Sequence, residues 1–304
     1  MRRFAAATVA TATLLCACEN GTVTFSVADA PIDGASQVQV TFTGIDLIES
    51  DGSTHSFDLD QAKQVNLLGS TSTQLLGKVT APAGDYTGIT LHISATESNG
   101  DSFVKYLATA PNNAGDTLVL ALPDDDVDGV TVPANFTVAR LRDTGLTADI
   151  DLRRAIVDEN NGSSLTLDLS GALTNTDRTN VHVVEDDEVG RLTGKVAASL
   201  INASSNCAPA AIYVYEGANA DPGEIGGSTG QEPITSTTLG IPSTSSGLIS
   251  YTIDFLDPGH YTVALICKAS LDDPTKDDGG FDPIFQDDDV EITAGESTAV
   301  DSFQ

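Results

Sequence analysis

The 304-residue chain carries 44 Asp and Glu against 14 Lys and Arg, a net charge of -30, with 40% hydrophobic residues and no Trp. So acidic a body lacks the basic footprint that nucleic acid demands, and anionic head groups repel it unless something other than bulk charge attaches it. Its apolar content suffices for about two ordinary domains, with cores built from Val, Ile, Leu, Ala and Phe.

Residues 1–17 have the layout of an export signal: Arg2 and Arg3, then an apolar run from Phe4 to Ala17. Glu19, Asn20 and Gly21 stop the run short of the roughly 20 apolar residues a spanning helix needs. Within it, Leu15-Cys16-Ala17-Cys18 resembles a bacterial lipobox. The resemblance implies diacylglycerol on the Cys18 sulfur, cleavage after Ala17 and acylation of the new amine. Residues 18–22 then form a lipidated tether, and the membrane becomes a partner through that anchor. Glu19, rather than Asp, points to the outer membrane of a Gram-negative-type cell.

Period-two alternation dominates the rest, the signature of half-buried strands. Val23, Phe25 and Val27 alternate with polar residues, as do Val38, Val40 and Phe42, and Ile89, Leu91 and Ile93. Leu146, Ala148, Ile150 and Leu152 follow, then Leu165, Leu167 and Leu169, then Val181 and Val183. Asp51-Gly52, Pro82-Ala83-Gly84 and Asn160-Asn161-Gly162 are turn formers that predict antiparallel closure. A short helix is conceivable near Ser72 to Gly77. The acidic run VEDDEVG, Val184 to Gly190, marks the boundary between a first domain, 23–184, and a second, 190–304. Within the second, residues 216–249 are rich in Gly, Ser, Thr and Pro and read as a long loop. The phrase Gly-x-Tyr-Thr recurs in Ala83–Ala95 and Pro258–Ala269, and reads as shared turn chemistry.

With Cys16 discarded and Cys18 acylated, Cys207 and Cys267 remain. Outside the cytoplasm they most simply pair, stapling two strands of the second domain and contributing about 2–4 kcal/mol. Two free buried thiols are the alternative.

Asp124, Asp126 and Asp128 with Gly129 match the opening of a calcium loop, D-x-D-x-D-G. The match breaks at Asn135, where a bidentate Glu belongs, so Ca2+ is a candidate ligand against a plain acidic turn, and no cofactor is required. Asp277, Asp278, Asp282 and Asp287 form a second acidic stretch with no ligand spacing. Ser102-Phe103-Val104-Lys105 fits S-x-x-K, but a strand puts Ser102 and Lys105 on opposite faces. His55, His92, His182 and His260 are scattered, without H-E-x-x-H or G-x-S-x-G. The six tyrosines fall mostly in strand patterns that favour core packing over sugar stacking.

The phrases SVADAPIDGASQVQVTFTGIDL, VNLLGSTSTQLLGKVTAPAGDYTGITLHI and LTADIDLRRAIV resemble the bacterial lipoprotein family called domain of unknown function 4382, over residues 21 to about 180. That resemblance implies a β-sandwich on a lipid anchor and assigns no catalytic residues. GRLTGKVAA and PGHYTV make the second half similar to carboxypeptidase-regulatory or transthyretin-like sandwiches. The expectation is an all-β lipoprotein of two antiparallel β-sandwich domains, Ig- or prealbumin-like. It is expected to be a non-catalytic binding or structural module at the envelope, contacting protein or polysaccharide. The alternative is a hydrolase of envelope or extracellular polysaccharide, or its accessory carbohydrate-binding subunit.

Overall fold

The computed structural model describes residues 20–68, 73–98, 100–110, 113–159, 164–174, 178–203, 207–239, 247–279, 283–300 and 303. Cys18, the expected acylation site, lies outside them, as do Cys16 and Asp282.

Twelve strands build the first unit: β1 (Asn20–Ala30), β2 (Ala35–Glu49), β3 (Thr54–Asn66), β4 (Gln74–Pro82), β5 (Gly84–Ile93), β6 (Phe103–Tyr106), β7 (Thr117–Ala121), β8 (Val130–Val138), β9 (Asp143–Asp151), β10 (Ile156–Val157), β11 (Leu165–Leu167) and β12 (Val181–Glu185). A one-turn helix, α1 (Leu152–Ala155), joins β9 to β10. One sheet has the order β12-β9-β1-β4; the other runs β10-β11-β7-β6-β2-β5-β8, with β3 also paired to β2. Their facing residues share one core, in which Val23 and Phe25 of β1 and Leu146 of β9 meet Phe42 of β2 and Leu91 of β5. This is the sandwich that alternation demands, each strand giving one apolar face to the interior.

The second unit holds β13 (Gly190–Ala197), α2 (Ala198–Ala203), β14 (Ala210–Glu216), β15 (Thr235–Thr238), β16 (Leu248–Leu256), β17 (Gly259–Cys267), β18 (Phe285–Ile292) and β19 (Ser297–Ala299). Its sheets, β16-β13-β19 and β15-β14-β17-β18, enclose a second core around Leu192, Ile212, Val214 and Val263. β14 is buried on both faces. Ile212 and Val214 point into the sandwich, whereas Ala211, Tyr213 and Tyr215 pack with Ile225, Ala264 and Ile266 in a third layer. That explains the unbroken apolar run AAIYVY, which a strand with one wet face would not show.

The recurring Gly-x-Tyr-Thr phrase makes the same device twice. Tyr86 donates its hydroxyl hydrogen bond to the carbonyl of Pro82 at 2.9 Å, and Tyr261 to that of Asp257 at 2.7 Å, each four residues upstream. The ring is buried and its polar tip is satisfied by the turn that precedes the strand.

Five local expectations are corrected. Residues from Gln74 onward form β4 and not a helix, because they pair with β1 and alternate Leu75, half exposed, with buried Leu76. β1 begins at Asn20, inside the expected tether, since Asn20 and Gly21 already pair with Pro82 and Ala81. Leu152 leaves its strand pattern to open α1, where Asp151 caps the turn. The long loop at 216–249 contains β15, which pairs with β14. Antiparallel closure is interrupted by three parallel pairs, β1 with β9, β7 with β11, and β13 with β19, where the chain has crossed to the other sheet before returning.

Candidate functional site

The end of β9 reads Asp149-Ile150-Asp151-Leu152-Arg153-Arg154. Asp151 Oδ1 accepts from the backbone N–H groups of Arg153 and Arg154 at 3.1 and 3.4 Å, which fixes the turn of α1. That turn sends two consecutive arginines toward the second unit, both buried. Arg153 bonds Asp33 Oδ2 and the Ala269 carbonyl at 2.7 Å each, reaches Ser236 Oγ at 3.2 Å, and lies 5.8 Å from the Tyr213 ring centre. Arg154 donates to the Pro233 carbonyl at 2.8 Å and Asn180 Oδ1 at 3.2 Å, and pairs with Glu232 at 3.4 Å. Arginine suits this position because its planar fork satisfies carboxylate and carbonyl partners on both units at once.

Beside this latch lies a cleft of about 690 Å³ between the units. Asp149, Asp151, Arg154 and His182 line it from the first unit, and Ile234, Phe255, Asp257 and Tyr261 from the second. Two exposed ion pairs span it: His182 Nε2 to Asp257 Oδ2 at 3.2 Å, and Arg178 Nη2 to Glu216 Oε2 at 3.1 Å. Phe255 holds a φ of 62°, a left-handed conformation that is costly for a bulky side chain.

The charges are unevenly compensated. Burial, then the charge of Asp151, pushes the Asp149 carboxyl up to about 7, against the pull of His182, its direct partner across β12. Asp29, on β1, is pushed up to about 8 by burial and by Asp149. Asp151 is raised by burial despite both arginines, and its Oδ2 has no hydrogen-bond partner among the described residues. His182 is lowered by burial but raised more by the hydrogen bond and charge of Asp257, so its net shift is upward; Asp257 is correspondingly lowered. Asp149 and Asp151 project from one strand, two positions apart, so both acids stand on one wall. A glycosidase needs its carboxylates on either side of the scissile bond.

Of the residues singled out by sequence, His182, His260 and Tyr261 line the cleft, and the others fall elsewhere. Cys207 and Cys267 are joined in a disulfide, with Cα atoms 4.3 Å apart, at the open end of the β14–β17 pair. Asp124 and Asp126 lie in a 3-10 turn where Asp126 Oδ2 accepts from Ser170 Oγ at 3.1 Å. Among the described residues there is no group of three or more His, Cys, Asp or Glu that could hold a metal ion. In the 271–279 stretch Asp278 accepts from Asp273 N at 2.9 Å, and Gly279 N donates to Glu224, outside the stretch, at 2.9 Å. Ser102 is buried, donating to the Ser94 carbonyl at 2.8 Å and accepting from Thr41 N at 3.0 Å, while Lys105 is exposed. Each histidine meets a carboxylate: His55 with Glu49, His92 with Asp46, His182 with Asp257 and His260 with Asp289. All tyrosines but Tyr106 are buried. Sequence reasoning missed Asp149, Asp151, Arg153, Arg154 and His182 as a set. The available signal was four charges within six residues, beginning at the end of a strand whose only other charge is Asp143.

Residues 20–167 match the family model described as domain of unknown function DUF4382. No curated protein matches the chain by sequence. Among solved structures, a leucine-rich repeat protein from Bacteroides thetaiotaomicron aligns at 15% identity with a TM-score of 0.19, over 94% of this chain and 27% of that one. A protein described as an adhesin from Bacteroides ovatus aligns at 8% identity and a TM-score of 0.21, over 88% and 85% of the two chains. The fimbrial anchor protein of Porphyromonas gingivalis aligns at 11% identity and 0.19, over 88% and 82%. The chain thus spans about a quarter of the first of these. Likenesses this slight carry no functional argument.

Proposed function

We propose that the protein is a non-catalytic binding module of the bacterial envelope, held to the outer membrane by acyl chains on Cys18, and that it takes its protein or polysaccharide ligand in the cleft between its two units. The cleft braced by Arg153 and Arg154 carries this reading: a pre-formed concavity, with apolar wall residues Ile234, Phe255 and Tyr261 and incompletely compensated carboxylates, at a junction held rigid by buried hydrogen bonds. The placement of Asp149 and Asp151 on one wall, and the absorption of Ser102 and the histidines into structural contacts, favour binding over hydrolysis.

Two measurements test it. Replacing Cys18→Ala should move the chain from the membrane fraction to the soluble fraction. In a screen of envelope glycans and extracts, saturable binding by the full chain should be lost in Asp149→Arg while the variant still unfolds in a cooperative transition above the assay temperature. Release of cleaved product from any of these polymers, or binding indifferent to Asp149→Arg, would overturn the reading.

A further inference from the structure

A second cavity, of about 350 Å³, opens beside Arg153, and it shares no described lining residue with the cleft. Ile32, Tyr106 and Ile156 wall it from the first unit, and the turn from Ala269 to Pro274 from the second. Two side chains in that wall are incompletely bonded. Arg153 uses Nη1 for Asp33 and the Ala269 carbonyl and Nε for Ser236, but its Nη2 has no hydrogen-bond partner among the described residues. Asp272 Oδ2 accepts from the Tyr213 hydroxyl at 2.6 Å and from Ile225 N at 3.3 Å, whereas its Oδ1 has none. Both residues are more than nine-tenths buried, at 6% and 7% exposure, where an unmade hydrogen bond is costly.

The two are neighbours. The Ala269 carbonyl accepts from Arg153 Nη1 at 2.7 Å and from Asp272 N at 3.3 Å, and the Tyr213 ring that faces the guanidinium holds Asp272 by its hydroxyl. Arg153 makes its ion pair with Asp33 instead. The wall therefore offers a spare donor next to a spare acceptor. A hydroxyl satisfies both at once, since one oxygen can accept from Nη2 and donate to Oδ1.

The rest of the wall selects among hydroxyl compounds. Tyr106 is the only tyrosine that is not buried, and its hydroxyl is taken up by the Asn113 side chain, which leaves the half-buried ring. An aromatic ring beside a few fixed polar groups is the make-up of a small-molecule site. Asp33, Asp158, Asp272 and Asp273 outnumber Arg153 and Lys276 around the cavity, which turns away acidic sugars and phosphates.

We infer that this cavity binds a neutral saccharide, with one hydroxyl bridging Arg153 and Asp272 and the apolar face of the sugar ring against Tyr106. The site is separate from the cleft and stands whether or not the cleft takes a ligand.

Saturation-transfer NMR on the full chain tests it with the methyl glycosides of glucose, galactose, mannose and N-acetylglucosamine, beside methyl glucuronoside and N-acetylglycine methylamide. The buffer is at about pH 8, where Asp272, pushed up to about 7 by burial, is mostly ionised. At least one neutral glycoside should receive saturation that rises to a plateau. Its affinity should fall about tenfold in Tyr106→Ala, which removes the ring. Binding should be absent in Ser270→Trp, which places an indole in the cavity. Where a variant does not unfold cooperatively, the native chain labelled with fluorotyrosine decides: the Tyr106 fluorine resonance, identified by its loss in Tyr106→Phe, should shift along the same titration. No transfer to any neutral glycoside, transfer to the glucuronoside or the amide alone, a plateau unchanged in both variants, or an unmoved Tyr106 resonance would overturn the assignment.

Discussion

Asp149 shows how a single side chain can couple the cleft to pH. Its carboxyl, ordinarily near 3.8, is pushed up to about 7, so the folded chain retains a proton that the unfolded chain has released. Its contribution to stability is therefore full below about pH 4 and is lost as pH rises through about 7. Asp29 acts in the same sense up to about 8, as does His182, whose charged form is held by Asp257. Asp151 and Asp254 sharpen the penalty on Asp149. Asp149→Asn should thus raise the melting temperature at about pH 8.5 and leave it nearly unchanged below about pH 4. Raising a carboxyl from 3.8 to about 7 corresponds to roughly 4 kcal/mol in full burial. Part of the side chain is exposed, so roughly 1–2 kcal/mol is expected after screening. An equal gain at both pH values would mean that the effect is packing and not ionisation. None of this was legible in the sequence, where Asp149 reads as the wet face of an alternating strand. What desolvates it is the second unit, whose arrival no local pattern announces.

At the level of elements, alternation located most strands because each exposes one face to a core. It failed where a strand is covered twice or where pairing overrides composition. β14 is apolar on both faces because the 217–234 segment lies over it, and that segment shows no period since its backbone is fixed by single side chains. Tyr215, for instance, donates to the Gly223 carbonyl at 2.8 Å. The repeated Gly-x-Tyr-Thr phrase was correctly legible as turn chemistry, since the Tyr hydroxyl needs a carbonyl only four residues away. α1 was hidden inside a strand pattern, and with it the latch. Arg153→Ala leaves Asp33 buried without its cation, and such a loss costs about 3–5 kcal/mol. Urea unfolding should show that decrease, and adding Asp33→Ala should restore part of it. A decrease below about 0.5 kcal/mol, the range of a surface substitution, would show that the latch does not hold the units together.

For the molecule as a whole, the carboxyls that burial raises most in the first unit, Asp29 and Asp149, stand at the ends of β1 and β9 that meet the second unit. The bulk composition could exclude nucleic acid, and the lipobox could suggest a location. Neither could say where the two units meet, because Arg153 and Arg154 find their partners at Ala269 and Pro233 only on folding. The same holds for the cleft: its walls come from residues 133–182 and 216–261, far apart in sequence.

The account stands on the cleft being the place where ligand is met. A photo-crosslinking phenylalanine analogue at Phe255, with Leu75 as the control position, tests this in intact cells of a Gram-negative host producing the protein. The account predicts a discrete, saturable adduct from position 255, abolished by Asp149→Arg, and none from position 75. Equal adducts from both positions, or none from 255, would contradict it.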